Sequence, residues 1–528
     1  MAVRPSVACR LSFRLVRSAQ LRCKGLAPGR TEMNKPLMLL MCAVLLFRSA
    51  THAEDEVRTI SLSDCIRAGL TNNIKLQSAG IDRAIGQEQA ISARAMLDPR
   101  LAMGTTYWQS ELTDSRSFVP GQKETVDVSA RLQKAFSTGT RAELGLYQNR
   151  FRVNEGTNSL FGGLIPQYSS GLSLSMSQSL MKNAFGDIDR SLLASAELGS
   201  AIAGAIYWRE RQSVMLDVVS SYWDLYAAGM NYRTGMESLE RARRLLTTNR
   251  ERVADGLLDE TDVLAVEALI ATRAVDVLAL SNAVAGAKDV LLNLVEPSGE
   301  HWDDIRIGFP PNHRVAQEHL EGDPVAVALA NRRDVAAVEM LVDLAEMDLL
   351  MKKSVARPDL QLLGSVSIGA SDSGLDDLFE FSDSGWTGGL SLEVPLFRTA
   401  EQSAIRQARL QMKKAMNNSD SLRNAVELEC RMATRALVTG QERGKATKRA
   451  MELQKRKLDL EKQKFENEGR SATQWVIQAE DDVSIAEMAF NLAIAEYEKS
   501  AARYRMAMGL DPVALDEVRP ANLSEETN

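Results

Sequence analysis

Few residues in this sequence carry chemistry. The four histidines of the 528 residues are His52, His301, His313 and His319. The last three share one proline-bearing stretch, 296–322, where three imidazoles could hold a metal ion. No helical or knuckle spacing pairs them, so the stretch reads as a surface linker. Asp372, Asp376, Asp377, Glu380 and Asp383 form an acidic cluster of the kind that binds Ca²⁺. They lie among glycine and serine and read as a solvated loop. Past residue 53 the cysteines are Cys65 and Cys430, too distant and too few for a disulfide framework. There is no phosphate-cradling glycine loop, no nucleophile elbow, no HExxH and no CxxC. The sequence predicts no enzyme, no cofactor and no metal.

Long elements would carry such scattered residues. Between Pro395 and Pro512 there is no proline. Apolar or small residues recur there at helical steps: Ala486, Phe490, Ala493, Tyr497, Ala501, Tyr504, Met508. A reversal is expected at Glu468-Gly469-Arg470, since glycine ends helices. The run 167–296 has the same form, with its reversal at Asp255-Gly256 and a seam at Val277, Leu280, Val284, Ala287, Leu291 and Leu294. Ala283, Ala285 and Gly286 beside that seam would allow close approach. Each arm would be roughly 40–70 residues, longer than globular helices run, which asks for a coiled coil or helical barrel.

The two runs read as copies of one unit. Gly256 and Glu267 recur as Gly469 and Glu480, each 213 residues on. Pro99 recurs as Pro358, 259 on, and Leu180 and Ala184 as Leu396 and Ala400, 216 on. The first copy thus carries 43 extra residues, assigned to a hairpin at about 123–152 turning at Ser137-Thr138-Gly139.

Strands are expected before each helical hairpin. Leu172, Leu174 and Met176 alternate with serines; Val126, Val128, Ala130 and Leu132 with Asp127, Ser129 and Arg131; Ala142, Leu144 and Leu146 with Arg141, Glu143 and Tyr147. The second copy has Leu362, Val366 and Ile368, then Leu390, Leu392 and Val394. Such alternation suits lipid on one side and water on the other, or a soluble sandwich. Residues 113–123, 152–167 and 371–385 read as loops, and 61–96 as two helices broken at Asn72-Asn73 and closed by Pro99.

Met33-Asn34-Lys35, the apolar run Pro36 to Phe47 and the small residues before a cut at Ala53 read as a secretory signal, with translation from Met33 or Met1. No segment reaches 18 consecutive apolar residues, so an exported chain crossing a bilayer would need a closed β-barrel. The net charge is −7 with a basic leader, which leaves an acidic body and argues against nucleic acid.

The signal, the doubled order of helix, strands and long hairpin, and the motif G-x₅-[D/W]-V-[L/I]-x-x-E after each turn resemble the TolC-type outer membrane efflux proteins over about residues 58–512. The resemblance implies a mainly α protein with membrane β-strands: a trimeric α-helical barrel of long coiled-coil hairpins, continuous with an outer-membrane β-barrel. It implies the segments 1–53 leader and signal, 54–298 first repeat, 299–322 linker, 323–512 second repeat and 513–528 tail. It implies a homotrimer in outer-membrane lipid that reaches into the periplasm, served by a periplasmic adaptor (membrane fusion) protein and an inner-membrane pump. Its role would be passive export by efflux or type I secretion. The alternative from another class is a periplasmic coiled-coil scaffold or adhesin without a pore. The family usually has two strands per copy, so the extra hairpin extends the barrel or sits at a rim. By position in the family, the entrance lies at the hairpin turns: Gly256, Asp259, Asp262, Gly469, Arg470, Ser471, Trp475 and Gln478. Trp475 and Gln478 stand where the family prototype has aspartates, a departure from its acidic constriction. Arg470 would pair with Asp262 or Asp259 to hold the entrance shut.

Overall fold

The computed structural model describes residues 58–112, 121–153, 168–296, 305–307, 322–372, 381–465 and 473–513. The leader, the signal, His52, His301, His313, His319, Asp376, Asp377 and Glu380 lie outside them, as do the expected turn Glu468-Gly469-Arg470 and Ser471. By its internal contacts the chain divides into two units. One is Met1–Arg58 with Asp303–Arg306, of which Arg58 and residues 305–306 are described, as parts of the short strands Arg58–Ile60 and Ile305–Ile307. The other is Thr59–Trp302 with Ile307–Asn528.

Its first helices are α1 (Leu62–Asn72) and α2 (Ile74–Arg94). Ser61 and Asp64 form a reciprocal capping box at the start of α1, and Asn73 caps α2 by accepting from the amides of Lys75 and Leu76. Four strands follow: β1 (Arg100–Leu112), β2 (Gly121–Ala135), β3 (Thr140–Val153) and β4 (Tyr168–Ser179). Then come α3 (Asp187–Ala254) and α4 (Glu260–Val295). The order repeats as α5 (Pro324–Asn331), α6 (Arg333–Val355), β5 (Asp359–Asp372), β6 (Asp383–Glu393), α7 (Thr399–Gln463) and α8 (Thr473–Ala507).

The helical arms are unequal. The outgoing α3 and α7 have 68 and 65 residues, about 100 Å each at 1.5 Å per residue. The returning α4 and α8 have 36 and 35, shorter than the sequence reading expected. Short helices cover the rest of the long ones. Helix α2 lies on the first part of α3, where a Cβ on Gly86 would stand 2.9 Å from Ala203 Cβ. Helix α6 reaches both long helices, through Ser195–Met347 to α3 and Arg423–Glu339 to α7. The core lies along α3, with Val214, Met215, Val218, Tyr222 and Trp223 all buried.

The six long strands form one antiparallel sheet in chain order, β1 to β6. The extra hairpin therefore enters the sheet as β2 and β3, between β1 and β4. Their turn, with Gly139 at φ 72°, rests against the start of α3: a Cβ there would meet Gly186 N at 2.8 Å. Pairing continues past the alternation, from Leu112↔Gly121 to Lys123↔Val153 and Tyr168↔Asp372. The strands thus take in the ends of all three expected loops, because backbone pairing with a neighbour does not require an alternating side-chain pattern. Asp372 and Asp383 end and begin strands, and among the described residues no cluster suited to a metal ion occurs.

Candidate functional site: the hairpin tips and the two faces of the sheet

The α3–α4 tip closes with a Schellman turn. Gly256 adopts φ 72°, its amide donates to the Val253 carbonyl, and the Leu257 amide donates to the Arg252 carbonyl. Asp259 precedes α4 as its N-cap, and the Asp262 amide donates to the Asp259 carbonyl. Both carboxylates lie near the positive end of the α4 dipole. Among the described residues no cation pairs with either. Their expected partner, Arg470, lies outside that set.

Other residues bridge the two hairpins. Asn249 is fully buried on α3. Its Nδ2 donates to the Asp262 carbonyl and to Thr473 Oγ1 at the start of α8, both at 3.3 Å. Beneath these, Leu245, Val266, Phe465 and Val476 make one apolar cluster drawn from both hairpins. The Arg252 guanidinium lies 4.3 Å from the Phe465 ring centroid. Arg273 of α4 pairs with Asp481 of α8. Further along, Ser484 Oγ meets Ser238 Oγ at 3.1 Å and Arg241 at 3.1 Å, Asn491 donates to Asn231 at 3.2 Å, and Lys499 donates to Asp224 at 2.6 Å. In α3, residues 224, 231 and 238 are seven apart, as are 484 and 491 in α8. These contacts form a polar heptad ladder that fixes one antiparallel register.

Trp475 is exposed, and Gln478 donates to Asp482 at 3.1 Å. Three acids follow, and each is held by a cation. Glu480 pairs with Lys462 at 2.9 Å, Asp481 with Arg273, and Asp482 with Lys457 at 2.8 Å. The hydrogen bond from Lys457, then that from Gln478, holds the Asp482 carboxyl below its ordinary range. The carboxylates of Glu480, Asp481 and Asp482 on α8 are therefore neutralised in place. Sequence reading missed Asn249, Arg273, Thr473 and Asp481. The run Glu480-Asp481-Asp482 and the seven-residue spacing of polar positions were the available signals. Cys65 and Cys430 are buried free thiols, and burial, then nearby Asp64, pushes Cys65 up to about 12, so it stays a thiol at neutral pH.

Two helix stripes face away from the chain's own core. On α4, Leu264, Ala268, Ala271, Val275, Leu278, Asn282 and Ala285 follow steps of 4 and 3 and are all exposed. On the other side of α4, the expected seam from Val277 to Leu294 is half-buried or buried. On α7, Leu428, Met432, Ala446, Leu453 and Leu460 are exposed and recur on a heptad frame.

The sheet separates its faces by register. Leu101, Leu132, Leu144, Leu174, Val366 and Trp386 lie on one face, set there by the pairs Leu101↔Leu132, Leu132↔Leu144, Leu144↔Leu174, Leu174↔Val366 and Val366↔Trp386. All six are more than a third exposed, and Trp386 is 82 % exposed. The opposite face is polar and lines a cavity of about 880 Å³ with Gln133, Arg141, Glu143, Ser175, Ser177 and Ser365. On that face the Tyr147 ring lies flat across Gly171, where a Cβ would meet it at 2.6 Å. At the helix end of the sheet, Phe136, Phe185, Leu396 and Phe397 are exposed, the last two by 90 % and 88 %. No described helix is long and apolar enough to cross a membrane.

Residues 325–510 match the family model of the outer membrane efflux proteins. The fold is similar to that of the outer membrane protein VceC from Vibrio cholerae, at 17% identity and a TM-score of 0.63, covering 86% of this chain and 97% of that one. It is similar to the Campylobacter jejuni CmeC outer membrane channel, at 17% identity, TM-score 0.62 and 85% of each chain. It is also similar to the open state of the Neisseria gonorrhoeae MtrE outer membrane channel, at 19% identity, TM-score 0.63, and 85% and 89% of the two chains. No curated protein matches the sequence. The resemblance to outer membrane efflux proteins thus stands on a sequence match over the second half and on fold over most of the chain.

Proposed function

With that family match and fold as the premise, we propose that the protein is the outer-membrane exit duct of a tripartite efflux or type I secretion system. It is a homotrimer, seated by its strands in outer-membrane lipid and reaching by its helices into the periplasm. A periplasmic adaptor and an inner-membrane pump engage the tips and supply the energy, and the duct itself passes cargo passively. The two halves are copies of one unit, a reading supported by the repeated order of helix pair, strands and long hairpin.

The sheet carries this reading. It has one exposed apolar face and one polar face lining a cavity, with aromatic and leucine side chains at its helix end. A soluble sandwich would cover the apolar face, whereas bilayer lipid rewards leaving it bare. Strands of 11 to 15 residues suit a tilted crossing of the hydrocarbon core. The exposed stripes of α4 and α7 support assembly of copies side by side, since stripes of this kind mark contact faces. A scaffold without a pore would have no use for the sheet.

The tips act as the entrance. Gly256, Asp259, Asp262, Gly469, Arg470, Ser471, Trp475 and Gln478 surround it, and the bridges between the hairpins hold it closed until a partner replaces them. The test is conductance of the signal-cleaved protein in planar bilayers, together with its mass in detergent. Small steady pores from a trimer are expected, and Asp262→Ala or Arg470→Ala should enlarge them. Recovery of the protein as a soluble periplasmic monomer would sink the duct.

A further inference from the structure

Among the described residues, the six-stranded sheet has two free edges, β1 and β6, which do not pair with each other within one copy. In lipid, a row of unpaired backbone amides and carbonyls is untenable, and strands there must close into a ring. Six is an even number, so β1 and β6 run in opposite directions. If β1 of one copy meets β6 of the next, that junction is antiparallel like every other in the sheet. The sequences at the two edges match in one register. With Leu101 opposite Leu392, the lipid-side residues Met103 and Tyr107 face Leu390 and Trp386. On the other face, Arg100 then meets Glu393, and Ala102 meets Ser391. A shift by two residues in the direction that keeps β1 opposite β6 sets Tyr107 against Ser384 and Thr105 against Trp386, and Arg100 loses its carboxylate.

We propose that β1 pairs with β6 of a second copy in this register, and that three copies close a barrel of eighteen strands to which the β2–β3 hairpin contributes six. The proposal rests on the trimeric duct. Barrels of 16–18 strands leave an open aqueous lumen rather than one filled by side chains. The barrel is then a wide passage, and selection of cargo falls to the helical tips.

The test uses the full chain in outer membranes. Ala102→Cys with Ser391→Cys places two small lumen-side thiols opposite each other, and Ala102→Cys with Thr387→Cys places them four residues out of register. Oxidation should give covalent dimers and trimers with the first pair and at most traces with the second. The native Cys65 and Cys430 are buried and leave the assay clean. A fluorophore on Val128→Cys or Leu146→Cys, on the hairpin's apolar face, should be quenched by lipid-soluble quenchers. One on Ser129→Cys should answer to water-soluble ones. Conducting trimers without the matched crosslink overturn the edge pairing while the duct stands. Matched crosslinks with Val128 and Leu146 probes in water overturn the eighteen-strand barrel, because the hairpin then lies outside the wall. Loss of conductance and of membrane location in the unsubstituted protein removes the duct itself, and this proposal with it.

Discussion

Against α7, helix α8 packs Tyr497 and Tyr504 around Leu437, and Ala479 and Val483 on Leu458. Against α3 it sets Thr473, Ser484, Asn491 and Lys499 beside Asn249, Ser238, Asn231 and Asp224. The first interface lies within a hairpin and the second between hairpins. Apolar surface released to water has nothing to replace its contacts. A hydrogen bond released to water finds another partner, so its net contribution is small while its geometry is directional. A hairpin built this way would stay intact if it slid or tilted against its neighbour. In the duct proposed above, an entrance that opens without unfolding needs that asymmetry, and the polar ladder is where it would open.

Truncating the apolar side should have the largest effect. Tyr497→Ala is expected to destabilise by about 3–5 kcal/mol, as other large buried side chains do. Denaturant unfolding should show it, and the conductance of surviving trimers should stay near wild type. Asn249→Ala removes the buried donor shared by Asp262 and Thr473, for about 1–3 kcal/mol. Here conductance should rise, which separates the two sides of α8. An equal rise in Tyr497→Ala would end the distinction.

Arg273→Ala should change stability by about 1 kcal/mol or less, because its partner Asp481 is part-exposed. It frees the Asp481 carboxylate, so reversal potentials should shift toward cation preference. Lys457→Ala should add to that shift by freeing Asp482. An unchanged reversal potential in the double variant would place these acids away from the path.

The smallest effect is a pH dependence. Burial opposes the charge on Lys499, but hydrogen bonds to Asp224 and Glu496 outweigh it and raise the pKa above the ordinary lysine value. A raised folded-state pKa gives stability that is complete below the ordinary value of about 10.5 and is lost as pH climbs through the folded value. Thermal unfolding of wild type should therefore weaken more steeply above that pH than unfolding of Lys499→Met. Parallel curves would remove Lys499 from the ladder's electrostatics.

Local pattern made much of this legible. Asn72-Asn73, Pro99 and Gly256 punctuate helices by fixed backbone preferences. Val126 to Leu132 and Leu172 to Met176 announce strands by a two-residue period. The seam at Ala493, Tyr497 and Tyr504 is buried where its spacing placed it. Strand ends were misjudged at 121–123, 152–153, 371–372 and 383–385, since pairing there is supplied by the neighbouring strand. The pairing of the α8 acids was not legible either. Glu480, Asp481 and Asp482 are adjacent, but Lys462, Lys457 and Arg273 come from two other helices.

The sequence by itself determined the kinds of element, their order and the two-faced strands. All of these rest on residues a few positions apart. Only the tertiary structure decided that the extra hairpin joins the sheet between β1 and β4, that a polar ladder runs between α3 and α8, and that Glu480, Asp481 and Asp482 are paired. Each of those depends on which distant segments become neighbours, and packing across the whole chain selects that.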